Sequence, residues 1–289
     1  MLIRNLSPSE KLFAIVLCIC IGFLLNTFII GALYRFMQGE LAYKFLLILS
    51  SILTFGLPSI AATVLIDHEK NPFAGVCMTK GAKIGKYLLA ATFMLAIMPA
   101  VELLSSLNAS YSFPESMKGI EDYFRAADMS AMEATQRALA GSGVGFYILN
   151  LIALAIMPAI CEEMFFRGVL QKNLVGMMKN KHIAILLTAF IFSAIHMQFS
   201  GLLPRFVLGA VLGYLFYTSG SLWTSIVAHA TNNALVVSAA YFVGASATEI
   251  PDISIFANIW WIAAIVVGLC IAVLVGRRVF KKSNFTQSN

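Results

Sequence analysis

The sequence predicts an all-α, polytopic membrane protein, and three observations carry that prediction. Hydrophobic residues make up 60% of the 289 and charged residues only 12%, with a mean hydropathy of +0.85, a composition that excludes an ordinary soluble domain. The apolar residues gather into stretches of about 20, the length that crosses a hydrocarbon core of about 30 Å. Basic residues fall mainly between alternate stretches, as the positive-inside rule requires.

About eight such stretches follow one another, at roughly 12–34, 45–66, 87–106, 143–170, 183–197, 204–218, 222–243 and 256–275. The first follows Arg4 and Lys11 as a signal peptide would. Its apolar run is too long and no small-residue cleavage pattern follows, so it is expected to be a retained anchor. The fifth and sixth are short for a full span. With the N-terminus cytoplasmic, Arg4, Lys11, Lys70, Lys80, Lys83, Lys86, Lys172, Lys179, Lys181, Arg277, Arg278, Lys281 and Lys282 all fall inside, 13 of the 20 Lys and Arg. Arg35, Lys44, Lys118, Arg125, Arg137 and Arg205 fall outside, and Arg167 falls within the membrane. Both termini are therefore expected in the cytoplasm, and the plasma membrane is the expected location. The net charge of +6 reflects this topology and contact with anionic headgroups; no nucleic-acid partner is implied.

The extracytoplasmic segment at about 107–142 carries Glu115, Glu121, Asp122, Asp128 and Glu133 among apolar Ile120, Tyr123, Phe124, Ala127 and Met132. It is expected to form an amphipathic helix that lies on the bilayer or covers an opening. Ser130 and Glu133 have capping-box spacing. No internal repeat or low-complexity tract is visible, so 1–289 reads as a single integral membrane domain with its polar core at about 143–244. The five cysteines include no Cys-x-x-Cys pair, which argues against a structural zinc site.

Charge inside the apolar stretches is the functional signal, because such groups cost at least a few kcal/mol each and face a partner, a cavity or a site. Glu162, Glu163 and Arg167 lie in the fourth stretch, and two of the four histidines, His196 and His229, lie in the fifth and seventh. His68 and His182 fall at solvated edges. Positions four apart share a helix face. Glu163 can therefore pair with Arg167, Phe192 lies beneath His196, and Asn233 lies beside His229, while Glu162 is turned by about 100° from Glu163. At about 1.5 Å per residue, Glu162, His196 and His229 stand roughly 15, 21 and 10 Å from the cytoplasmic edge, a spread compatible with one shared site. A buried Glu and a His on neighbouring helices are what water activation requires. A second His with an Asn can donate hydrogen bonds to a developing oxyanion. Which of the two glutamates is the base is left open by the residues alone.

Two readings compete with hydrolysis: a proton- or ion-coupled transporter that uses the Glu/His cluster as a relay, and a non-catalytic membrane scaffold. The polar groups cluster in one part of the chain with no repeated half, which disfavours the transporter. Among intramembrane proteases, no His-Glu-x-x-His motif and no pair of intramembrane aspartates is present.

Three motifs in order on separate stretches, Glu162-Glu163-Met-Phe-Phe-Arg167, Phe192-Ser-Ala-Ile-His196 and His229-Ala-Thr-Asn-Asn233, resemble the intramembrane CAAX prenyl endopeptidase family, also called the CAAX protease and bacteriocin-processing family. The resemblance spans about 143–244. It implies a helical membrane endopeptidase in which Glu162 and His196 activate water and His229 and Asn233 stabilise the oxyanion. Glu163, Arg167 and Phe192 would be supporting residues, and the substrate would be a membrane-embedded or lipidated peptide. No cofactor is favoured, since the family's structural description favours metal-free hydrolysis. Glu162, His196 and His229 could still supply the three protein ligands of an open catalytic zinc.

Overall fold

Regular structure in the computed structural model is helical throughout the described residues, 6–66, 71–244 and 249–281; Arg4, His68, Lys70 and Lys282 lie outside them. The longer helices are α1 (Pro8–Tyr34), α2 (Glu40–Leu65), α3 (Ile84–Ala109), α4 (Lys118–Leu139), α5 (Val144–Met177), α6 (Lys181–Ala194), α7 (Leu202–Ser219), α8 (Leu222–Phe242) and α9 (Ile259–Val279). Each expected apolar stretch is a helix. By length and composition, however, six can cross a membrane among the described residues: α1, α2, α3, α5, α7 and α9. Helix α6 has 14 residues, about 21 Å of rise. Helix α8 is long enough, but Thr224, Ser225, His229, Thr231, Asn232 and Asn233 dilute its apolar character.

Local chemistry sets several of these elements. Helix α1 begins where Ser7 and Glu10 satisfy each other's backbone N–H groups, at 2.7 Å and 3.4 Å, with Pro8 in the first turn. The capping-box pair expected at Ser130 and Glu133 lies instead inside α4, because the residues before it are helical too and leave no free end to cap. A proline has no N–H for the carbonyl four residues earlier, and wider π-helical turns at Ile52–Gly56 and Leu151–Ile156 directly precede Pro58 and Pro158. A third π-helical stretch, Met164–Gln171, surrounds Arg167. Such turns recur at functional sites.

Close helix crossings rest on glycines. A Cβ on Gly22 of α1 would lie 2.5 Å from Pro58 Cγ of α2, and one on Gly268 of α9 would lie 2.3 Å from the Ala96 carbonyl of α3. Gly209 and Gly213 form a Gly-x-x-x-Gly pair on α7, the small-residue spacing that lets membrane helices approach. A Cβ on Gly213 would meet Gln171 Oε1 at 2.7 Å and Ile185 Cγ2 at 2.8 Å. Gly213→Leu is therefore expected to cost about 1–3 kcal/mol by overpacking, read as a lower thermal midpoint in detergent. Gly145→Ala, which meets nothing within 4 Å, should leave the midpoint in place.

The two sets of basic residues meet at opposite ends of the bundle. At one end the buried Lys44 ammonium donates to the Ala138 carbonyl, in the last turn of α4, where free carbonyls favour a cation. Beside it the Arg137 guanidinium lies 4.7 Å from the Tyr43 ring centre and 5.3 Å from that of Tyr34. At the other end Lys86 Nζ donates to Lys281 O at 2.9 Å and Lys172 Nζ to Gly75 O at 2.8 Å. Arg205, assigned from sequence to an extracytoplasmic segment, stands in the first turn of α7, where it is part of the polar core.

Candidate active site

The polar core is assembled by α5, α6, α7 and α8. Glu163 and Arg167, one turn apart on α5, are both fully buried and pair at 2.7 Å through Nη1 and Oε1. The other arm of the guanidinium, Nη2, donates to the Gly209 carbonyl of α7 at 2.9 Å. One turn on, Gln171 Nε2 donates to the Gly213 carbonyl, also at 2.9 Å. The spacing Glu163, Arg167, Gln171 on α5 thus matches Gly209, Gly213 on α7, with no Cβ on either glycine to keep the helices apart.

Glu163 Oε1 accepts a second hydrogen bond, from His229 Nδ1 of α8 at 2.9 Å. A carboxylate only accepts, so the proton of this contact sits on Nδ1. The ring is therefore fixed in orientation with Nε2 turned to the opposite side, where Glu162 Oε2 lies 3.9 Å away. That separation is too long for a hydrogen bond and suits a shared water. The two neighbouring glutamates are accordingly distinct in surroundings: Glu163 is fully buried between Arg167 and His229, while Glu162 keeps 15% of its side chain exposed.

Phe192 of α6 packs the site together. Its ring stands edge-on to His196 and to His229, with centres 5.3 Å and 5.9 Å apart, and the Arg167 guanidinium lies 4.8 Å from its centre. His196, just beyond the end of α6, uses Nδ1 on the Phe192 carbonyl at 2.8 Å and leaves Nε2 free. No hydrogen bond or ion pair joins Glu162 to His196 directly; the imidazole nearest Glu162 is His229. Asn233 stands one turn beyond His229 on α8. Its Nδ2 donates to Leu154 O at 3.4 Å, the carbonyl that Pro158 cannot serve, and its Oδ1 accepts from Asn232 at 3.0 Å.

Among the described residues no three His, Cys, Asp or Glu side chains are grouped so as to hold a metal ion. His229 and His196 each use Nδ1 on a protein acceptor, which leaves Nε2 as the nitrogen each can offer to a water, a substrate or a metal.

Sequence reasoning missed Arg205, whose charge acts on Glu162 and His196; its place in the first turn of an apolar helix was the available signal. It also missed Gln171, although the Gly-x-x-x-Gly pair facing it is legible in the sequence.

No curated protein and no solved structure matches the chain. A family model does match, described as Rce1-like, type II CAAX prenyl endopeptidase Rce1-like, over residues 144–235. That segment contains Glu162, Glu163, Arg167, Phe192, His196, His229 and Asn233. Through residues 144–235 this multi-pass membrane protein is therefore similar to the CAAX protease family of type II, Rce1-like prenyl endopeptidases.

Proposed function

We propose that the protein is a metal-free intramembrane endopeptidase that hydrolyses a peptide bond of a membrane-associated or lipidated substrate. The observation that carries this reading is the 3.9 Å gap between Glu162 Oε2 and His229 Nε2, next to a histidine ring whose other nitrogen is held by Glu163. A water in that gap gives up a proton to Glu162 as its oxygen attacks the peptide carbonyl carbon. Protonated Glu162 then passes the proton to the departing amine nitrogen, which closes the proton balance.

The oxyanion of the tetrahedral intermediate is stabilised by His229, as an imidazolium donating from Nε2, and by the second N–H of Asn233 Nδ2. Glu163 supports that imidazolium through Nδ1, as a carboxylate does for the histidine of a catalytic triad, while Arg167 balances the Glu163 charge. His196, with Nε2 free, is a second base for the attacking water. The substrate's scissile bond reaches the site from the membrane, with the plasma membrane as the expected setting.

Purified protein in detergent should cleave membrane peptides in a pattern that mass spectrometry resolves. Single His196→Ala and His229→Ala variants should each lose that cleavage by on the order of 10²-fold or more. Identical products from parent and variants would sink the proposal. Exhaustive chelation should leave the rate unchanged; loss on chelation that added zinc reverses would replace the metal-free mechanism with a metal-dependent one.

A further inference from the structure

His196 and Arg205 stand at the two ends of one short connection between α6 and α7, and that connection is held from outside. Met197, directly after His196, has a left-handed backbone (φ 54°), a strained conformation for a residue with a side chain. Surrounding contacts must therefore hold it there. Asn108 of α3 clamps the chain at two points, with Nδ2 donating to Phe199 O at 2.7 Å and Oδ1 accepting from Leu203 N at 3.0 Å. Ser193 Oγ donates to Leu202 O at 2.5 Å. The Phe199 ring packs on Phe113 and Phe124, centres 4.8 Å and 5.6 Å apart.

The remaining restraint comes from the extramembrane helix α4. Asp128 Oδ2 accepts the Ser200 N–H at 3.1 Å. Its other oxygen, Oδ1, is buried without a hydrogen-bond partner, and so is Arg205 Nη1; Arg205 Nη2 donates to the Gln198 side chain. Asp128 and Glu162 are the two carboxylates whose charges act on Arg205. The hydrogen bond from Ser200 is thus the direct tie between α4 and the connection, and the Arg205 charge attracts the same carboxylate from the far end of that connection.

We propose that Asp128 is a positioning residue of the active site: from the extramembrane helix it fixes the 197–203 connection and so sets the placement of His196 and Arg205. The segment that reads from sequence as a surface helix is then a working part of the site. This inference rests on the endopeptidase reading for its kinetic test, so a structural readout accompanies it.

Asp128→Ala should lower kcat about tenfold with KM within about twofold, the pattern of a displaced reacting group. Amide hydrogen exchange across 197–203 should quicken in the same variant, which needs no activity at all. Asp128→Asn keeps an oxygen acceptor for Ser200 and should recover most of the rate and the protection. An Asp128→Ala protein with unchanged exchange and unchanged kcat would overturn the proposal. So would a lowered thermal midpoint in both variants with kcat falling only in proportion to unfolded protein, which would mean a purely structural role. A parent that cleaves no peptide, with exchange still quickened in Asp128→Ala, would instead fault the endopeptidase reading.

Discussion

Glu162→Gln is expected to reduce cleavage by on the order of 10²–10⁴-fold, the usual worth of a general base, with no change in helix content or thermal midpoint. The substitution is nearly isosteric. Glu162 makes no side-chain hydrogen bond whose loss would loosen the fold, and His229 Nε2 stands 3.9 Å from its carboxylate. The amide cannot take a proton from water, so turnover should fail at the chemical step while peptide binding persists. Initial rates of peptide cleavage, beside a thermal unfolding curve in the same detergent, test both halves. Full activity in Glu162→Gln with none in folded Glu163→Gln would reverse the roles of the two residues.

Arg167→Met should instead act on the fold. The guanidinium and Glu163 are both fully buried, so removing the cation leaves a carboxylate without its charge partner, at a cost of about 3–5 kcal/mol. Two further contacts go with it: the hydrogen bond to Gly209 O and the packing on Phe192. The expected result is a strongly lowered thermal midpoint, or failure to recover folded protein. Adding Glu163→Gln to Arg167→Met should regain part of the loss, since the uncompensated charge is then gone. A double variant no more stable than the single one would show that the contacts to α7, and not the charge, set the cost.

The same residues show how far the sequence alone reaches. Eight apolar stretches locate the helices because a hydrophobic run of membrane length is a strong, local signal. The functional helix is hardest to classify: α8 carries the polar residues of the site, and they lower the very quantity by which spans are recognised. Glu163 with Arg167 was legible because an i,i+4 spacing on a helix is a geometric statement. The meeting of Glu163 with His229, 66 positions apart, was not, since periodicity fixes which face a residue occupies and not which helix faces it. For the same reason the closeness of His229 Nε2 to Glu162 is not legible in the sequence. Arg205 escaped notice because a charge next to a loop normally belongs to solvent. Here it is half-buried, directly after a connection that Asn108 and Asp128 clamp.

The π-helical stretch Met164–Gln171 sets the angular phase of the site. Positions four apart on an α-helix drift by about 40° per step, so Glu163, Arg167 and Gln171 on a regular helix would follow a slanted row. A wider turn rotates less per residue and takes up that drift, which keeps Arg167 and Gln171 aimed at successive carbonyls of α7. The stretch therefore behaves as a vernier between two helices. Deleting a single residue from it would turn everything beyond it by about 100° and dissolve the register on which the buried charges depend.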